Sequence, residues 1–370
     1  MTTTNPNNRL LSIDLARGLA VFFMIAVHTL EVFANQEVKN SVLGQIISFL
    51  GGPPAAPVFM TLMGFSFIYS SKSELKPKLL RGFKIFLSGY VLNIFRGVIP
   101  FTLATYLKLD VVKTFLIEKI NAFTILTTVD ILQFAGIALI IMSIIQALQI
   151  NKYLILLSAF LISIISPLLW GIQLDIPIVD QILELFWGDL PIEFSFIANK
   201  IAFPVFPWLT FPLLGMFLGE TVKNSIDMNR AFNYFGLFGI FLIGIGAAIS
   251  FSNYQYHFND YYHSRQGAMF FMCGFVMVWL YLTKLVIDNI PTNSLFDLLF
   301  RWSKGVTNIY FIQWIIILWS IAFFGINSSS FISTILLILT FTGISHFTNE
   351  FIIQRHKKKV NVEKFNPSTS

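Results

Sequence analysis

The sequence predicts an all-α polytopic membrane protein with about ten transmembrane helices, and two observations support this class. Of the 370 residues, 55% are hydrophobic and only 12% are charged. The apolar residues also form blocks of about 20 residues, which is the length that an α-helix needs to cross the hydrocarbon core of a bilayer. A soluble globular domain does not combine these two properties.

The hydrophobic blocks place ten predicted spans along the chain. They cover roughly residues 12–33, 46–70, 82–104, 130–149, 153–173, 198–219, 231–252, 266–284, 306–324 and 331–353. Lys and Arg collect in alternate loops, as they do on the cytoplasmic side of membrane proteins. We therefore expect both termini to face the cytoplasm and the protein to lie in the cell membrane. The longest predicted outer loop, 174–197, has five acidic residues and no Lys or Arg.

The rest of the chain predicts one membrane domain with two short tails. We expect residues 1–9 to be a disordered tail, 10–354 the transmembrane domain and 355–370 a basic cytoplasmic tail. The single cysteine, Cys273, excludes an internal disulfide and a thiolate metal cluster, and no zinc motif is present, so no metal is expected. The net charge is +6, and the positions of the charged residues are explained by the predicted membrane topology. We therefore expect no nucleic-acid partner.

The first span contains charged side chains that lipid disfavours. Asp14, Arg17, His28 and Glu31 all fall within about 60° of one line along an ideal helix, so they form a polar stripe. Ionisable groups inside a span usually face protein or a water-filled cavity, and they often mark a functional site.

Polar residues in the third and fourth spans also need partners. Arg96 should face the interior and meet an anion, either a carboxylate such as Asp14 or a ligand phosphate, and a structural ion pair is the alternative. Asp130 is expected to cap a helix or lie at the interface rather than to act in catalysis. Gln133, one turn further along, is a candidate for a hydrogen bond to a ligand.

Two proline-rich segments predict interrupted helices. Residues 51–57 contain three prolines, which predict either a kinked entrance beside a site or a helix that starts with proline in its first turn. Residues 203–212 also contain three prolines, and Gly215 and Gly219 follow in a GxxxG pattern that favours close helix packing.

The loop before the eighth span is rich in tyrosine and also contains His263 and Arg265. This mixture would suit a sugar or another polar acceptor arriving from outside, although tyrosines are also common as anchors at the membrane interface. Asn308 and Gln313 in the ninth span are expected to form hydrogen bonds between helices.

Several segments together resemble a known family. Arg17, ten residues and then His28 resemble the pattern of membrane acyltransferase family 3. The string Ser12-Ile-Asp-Leu-Ala-Arg-Gly-Leu-Ala20 is similar to the related bacterial branch grouped with the heparan-alpha-glucosaminide N-acetyltransferase catalytic domain. Further segments that resemble this branch are 59–66, 130–133 and 206–209 with Gly215.

The resemblance implies a membrane acyltransferase. Such enzymes move an acyl group from cytoplasmic acyl-coenzyme A, here acetyl-CoA or another acyl-CoA, to an acceptor on the other face that is usually carbohydrate. It also implies that His28 is the catalytic histidine and Arg17 its partner in the motif. In the eukaryotic lysosomal enzyme the catalytic histidine lies in a later segment, so the sugar-amine acceptor does not carry over.

The predicted topology separates two roles along the first span. Arg17 lies near the cytoplasmic end and about 16 Å from His28, at 1.5 Å per residue, so it is assigned to coenzyme A. Arg81, Lys84 and Arg96 are further candidates for binding coenzyme A.

His28 would act as general base, and Glu31, one turn further on, would orient its imidazole. An acyl-histidine intermediate remains an alternative to direct transfer. The rival function is a proton-coupled transporter that uses the polar stripe as a relay.

Overall fold

The computed structural model describes residues 10–53, 55–69, 74–109, 121–188 and 201–365. Within these ranges the chain forms helices and no regular strand. Eight helical stretches are long and apolar enough to cross a membrane, and two shorter apolar helices occupy the places of the fourth and fifth predicted spans. The predicted all-α membrane architecture is confirmed.

We number the α-helices in chain order. They are α1 Leu11–Phe33, α2 Gln36–Asn40, α3 Val42–Gly51, α4 Ala55–Tyr69, α5 Leu75–Asn93, α6 Ile99–Tyr106, α7 Ala122–Thr127, α8 Ile131–Ala147, α9 Lys152–Ile165, α10 Pro177–Trp187, α11 Val205–Trp208, α12 Thr210–Lys223, α13 Met228–Ser250, α14 Tyr254–Phe258, α15 Gln266–Asn289, α16 Ser294–Lys304, α17 Val306–Phe324 and α18 Phe331–Phe365.

Two helices extend further than predicted. A π-helical turn at Ile94–Val98 joins α5 to α6, so the third span runs without a break from Leu75 to Tyr106. Helix α18 continues to Phe365, through most of the segment predicted to be a basic tail. The other predicted tail, residues 1–9, lies outside the described residues.

The prolines interrupt both segments in which they were expected to do so. In the second span, α3 ends at Gly51 and α4 begins at Ala55, with Pro57 in its first turn. In the sixth span, Phe206 has φ −103° and ψ 121°, values outside the helical region, and α12 starts at Thr210.

Helices α4 and α12 pack at very short range because glycines face each other. A Cβ atom placed on Gly215 would lie 1.9 Å from the carbonyl oxygen of Thr61, and one on Gly64 would lie 2.0 Å from that of Pro212. Any side chain would push the helices apart, so the predicted close packing at the GxxxG pattern is confirmed.

Helix α1 lies at the centre of the bundle. It packs against α3, α4, α15, α16, α17 and α18. Most of its side chains are buried, including Asp14, whose carboxylate accepts a 2.7 Å hydrogen bond from the Ser303 hydroxyl of α16. Polar side chains along α1 are therefore in position to meet residues from several helices.

Candidate active site

A buried charge network surrounds Arg96 in the π-helical turn. The Arg96 Nη1 donates to Asp130 Oδ2 at 2.6 Å, while its Nε and Nη2 donate to Asn93 Oδ1 at 3.1 and 2.9 Å. The hydroxyl of Tyr310 donates to the same Asp130 oxygen at 2.7 Å. Arg96 thus meets an anion, as expected, but that anion is Asp130 and not Asp14.

The cap of helix α8 fixes the carboxylate of Asp130. Its Oδ1 accepts from the backbone N–H of Ile131 at 2.7 Å, and the Gln133 Oε1 accepts from the Asp130 N–H at 3.1 Å, which completes a capping box. The Gln133 Nε2 donates to the Thr128 carbonyl at 3.2 Å. Asp130 caps the helix as predicted. The backbone thus engages both ends of the Gln133 amide, and this residue positions Asp130; its contact with a ligand stays a prediction.

His28 faces helix α17. Its Nδ1 lies 3.2 Å from the Nε2 of Gln313, a fully buried residue. The ring centroids of His28 and Trp314 are 4.4 Å apart. The carboxylate of Glu31 points elsewhere and pairs with Lys39 at 3.3 Å. The side chain at hydrogen-bond distance from His28 Nδ1 is thus that of Gln313, and the role of Glu31 in orienting the imidazole stays a prediction.

A cavity of about 470 Å³ lies beside these groups. Arg96, Asp130 and Tyr262 line its polar end together with Trp314. The Arg96 guanidinium carbon is 5.0 Å from the centroid of the Trp314 ring. Trp314 thus contacts both His28 on α1 and Arg96 in the π-helical turn between α5 and α6, and it lies in the wall of the cavity.

Comparison with protein families supplies the identity that this geometry alone does not give. The model of the heparan-alpha-glucosaminide N-acetyltransferase catalytic family matches residues 9–237, which is more than half of the chain. This chain belongs to that family. No curated protein matches the chain. The family and the membrane-spanning helices together indicate a membrane acetyltransferase.

The family match contains most of the candidate site but not all of it. His28, Arg96 and Asp130 lie within residues 9–237, whereas Gln313 and Trp314 of α17 lie beyond them. In this acetyltransferase, a helix outside the matched region therefore completes the surroundings of His28.

The cations assigned to coenzyme A do not form one group. The Nη2 of Arg17 donates to Ser66 Oγ at 2.7 Å and to the Leu62 carbonyl at 3.4 Å, so this side chain joins α1 to α4. Arg81 and Lys84 are exposed on α5. Arg96 lies fifteen residues after Arg81 on a continuous helix, about 22 Å along its axis at 1.5 Å per residue. Arg96 therefore belongs to the cavity and is separate from the other three.

The loop between α13 and α15 contains the predicted acceptor residues. The His263 Nδ1 is 2.8 Å from Asp260 Oδ2, and the Arg265 guanidinium carbon lies 3.8 Å from the centroid of the Tyr256 ring. Burial alone would raise the pKa of Asp260, but the hydrogen bond and charge of His263 and nearby backbone N–H groups lower it below its usual value. The loop is thus held by its own side chains, and Tyr262 is the member that lines the cavity.

The sequence alone does not identify Tyr310 and Trp314 as residues of the site. Gln313 was expected to bond between helices, and it does so, as does Asn308 with Asn349 at 3.3 Å. Tyr310 and Trp314 are four residues apart and so share one face of α17, and this spacing is the signal that the sequence offers. An aromatic residue in a span is usually a packing residue, so composition did not distinguish these two.

Proposed function

We propose that this protein transfers an acetyl group from acetyl-CoA, bound from the cytoplasmic side, to a carbohydrate acceptor on the outer side, with His28 as general base. The observation that carries the proposal is the contact between His28 and Trp314, because the same Trp314 lines the cavity beside Arg96. Membership of an acetyltransferase family supplies the reaction class.

The proposed step moves one proton and exchanges one bond. An acceptor hydroxyl or amine attacks the thioester carbonyl while His28 takes its proton, and the C–S bond breaks as the new acyl bond forms. The proton then passes from His28 to the departing thiolate of coenzyme A. Arg96, at the cavity wall, supplies positive charge near the oxyanion that develops on the carbonyl.

Gln313 holds the imidazole for this role. An amide can accept a hydrogen bond through its oxygen or donate one through its nitrogen. The amide nitrogen of Gln313 lies next to His28 Nδ1, and a half-turn of the amide about its last side-chain bond would put the oxygen there instead. That oxygen would accept from the Nδ1–H of His28 and leave the lone pair on the imidazole Nε2 to act as base. A neutral amide orients the ring without adding a negative charge, which differs from the carboxylate in acyl-transfer triads.

The remaining predicted residues divide between the two substrates. Arg17, with Arg81 and Lys84, is proposed to bind the donor at the predicted cytoplasmic side. His263 and Arg265 are proposed to shape the outer loop that presents Tyr262 to the acceptor. An acyl-histidine intermediate would use the same His28 as nucleophile.

The rival proton-coupled transporter is less consistent with the contacts of the polar stripe. Asp14 bonds to α16, Arg17 to α4, His28 to α17, and Glu31 to Lys39 of α2. Contacts that lead from α1 to four different elements favour separate roles over one proton relay.

A binding and turnover experiment tests the proposal. The purified protein in lipid nanodiscs is titrated with coenzyme A and acetyl-CoA, and release of the free thiol is followed with and without a panel of glycosides. We expect binding of both ligands and a thiol release that rises with a suitable acceptor. Absence of affinity at millimolar ligand, together with transport of protons in sealed vesicles, would contradict the proposal and support the transporter.

A further inference from the structure

The cavity beside His28 has two chemically different ends. Arg96, Asp130 and Tyr262 form the polar end, whereas α6 and the C-terminal half of α17 form the opposite walls from apolar side chains. A ligand that fills the whole space must therefore be amphiphilic. A free sugar would leave the apolar walls without contacts, and a plain hydrocarbon would place apolar groups against the charged end.

The apolar walls face the surroundings of the bundle. Leu103 on α6 and Leu107, which follows that helix, are 44% and 55% exposed, and Phe323 on α17 is 83% exposed. All three line the cavity. Exposed apolar side chains on spanning helices face lipid, so the space between α6 and α17 is in reach of the membrane from the side.

The position along the helices places the cavity in the outer half of the bilayer, if both termini are cytoplasmic as predicted. Its lining includes the C-terminal parts of α6 and α17, which point outward in that orientation. It also includes Tyr262 from the loop between α13 and α15, which is predicted to lie outside. A chain entering from the side would therefore come from the outer leaflet.

From these observations we infer that the acceptor is a lipid-linked carbohydrate, whose hydrocarbon chain lies between α6 and α17 while its sugar meets Arg96, Asp130 and Tyr262. This inference rests on the proposed function and specifies its acceptor. The acyl donor arrives from the cytoplasmic side, so a hydrocarbon chain in the outer half belongs to the acceptor and not to a long acyl group. The acceptor hydroxyl or amine at the polar end would then be near His28.

The first experiment compares acceptors that differ only in their chain. The protein in nanodiscs receives labelled acetyl-CoA and paired methyl and dodecyl glycosides of the same sugars. We expect transfer to the dodecyl glycoside to exceed that to the methyl glycoside at least about ten-fold in kcat/KM. Equal rates for the two glycosides would overturn the inference, while thiol release with either would leave the proposed function standing.

Matched tryptophan variants distinguish binding of the dodecyl chain in the cavity from partitioning of the glycoside into the bilayer. Ala322→Trp fills the cavity between α6 and α17, and Ala247→Trp places the same bulk on an exposed face of α13 that does not line it. The ratio of dodecyl to methyl rates should fall at least about ten-fold in the first variant and stay within two-fold in the second. An equal effect of both variants, or of neither, would overturn the inference.

A photoreactive dodecyl glycoside gives a readout that does not require turnover. We expect its chain to label peptides from α6 and α17, with competition by the dodecyl but not by the methyl glycoside. Labelling of other parts of the protein would overturn the inference. Loss of labelling in Ala322→Trp without any change in transfer would also overturn it, because the cavity would then hold only a structural lipid. If Ala322→Trp changed the transfer rate only with a long-chain acyl-CoA as donor, the hydrocarbon chain in the cavity would belong to the donor. That result would also overturn the inference.

Discussion

Arg17 and Arg96 both lie in spanning helices, yet different groups stabilise them. Among its contacts, Arg17 donates hydrogen bonds to Ser66 Oγ and to the Leu62 carbonyl on α4. Arg96 bonds to the carboxylate of Asp130, which a helix cap and Tyr310 hold in place. The contacts of Arg17 with Ser66 and Leu62 join α1 to α4, whereas the contact of Arg96 with Asp130 is a buried ion pair that depends on both partners.

This difference matters because the loss of one partner has unequal costs. A buried charge left alone is costly in free energy, since neither water nor lipid replaces its counter-ion. A lost neutral hydrogen bond costs much less. The two arginines can therefore be distinguished by removing their partners one at a time.

The largest expected effect is that of Asp130→Ala. It leaves the Arg96 charge buried without its carboxylate partner and should lower the free energy of unfolding by about 3–5 kcal/mol. Denaturant unfolding in mixed micelles measures this loss. The double variant Asp130→Asn with Arg96→Gln removes both charges and should recover much of it, and a double variant less stable than Asp130→Ala would contradict the ion pair.

Tyr310→Phe should have the next largest effect. It removes the hydroxyl that donates to the Asp130 carboxylate and keeps the ring, so we expect a loss of about 1.5–3 kcal/mol, as for a hydrogen bond to a charged group. Tyr153→Phe changes an exposed tyrosine on α9 in the same way. Losses of equal size in these two variants would argue against the contact with Asp130.

Ser66→Ala should be milder because Arg17 keeps its contact with the carbonyl of Leu62. We expect a loss of about 1 kcal/mol in unfolding free energy and a several-fold weaker binding of coenzyme A, measured by calorimetry. The matched control is Ser158→Ala, whose hydroxyl bonds only to its own helix backbone at Leu154. Unchanged coenzyme A affinity in Ser66→Ala and in Arg17→Gln would remove Arg17 from the donor site.

Gln313→Glu should change the pH dependence of activity more than stability. A carboxylate beside Nδ1 stabilises the protonated imidazole, so a higher pH is needed to free the base. The acidic limb of the pH–rate profile should therefore move to higher pH, with KM for acetyl-CoA nearly unchanged. The same substitution at Gln146, which accepts a bond from Lys78 away from the site, should leave the profile in place.

Much of the fold follows from the sequence because lipid imposes strict rules on it. The apolar segments of the sequence predict the positions of all ten apolar helical segments. The prolines predict both helix interruptions, and Gly215 predicts a close contact between helices. The rule that a buried arginine needs an anion correctly required a partner for Arg96. These features depend on local sequence and on the cost of burying charge.

The remaining features depend on contacts between distant parts of the chain. Asp130 lies 34 residues from Arg96, and Gln313 lies 285 from His28, so helix periodicity could not pair them. Glu31 is the carboxylate nearest to His28 in the sequence, but in the structure it pairs with Lys39 on α2. The cavity likewise forms only when α6 and α17 pack together.

The central claim is that His28 performs chemistry at this cavity, and two histidine variants test it most directly. His28→Ala and His346→Ala both remove an imidazole from a predicted span, but His28 contacts Trp314 of the cavity wall, whereas His346 accepts a hydrogen bond from Trp302, which does not line the cavity. We predict that His28→Ala binds acetyl-CoA as the wild type does and loses transfer at least about a hundred-fold, in line with general-base catalysis, while His346→Ala keeps it. Full transfer by His28→Ala would contradict this account.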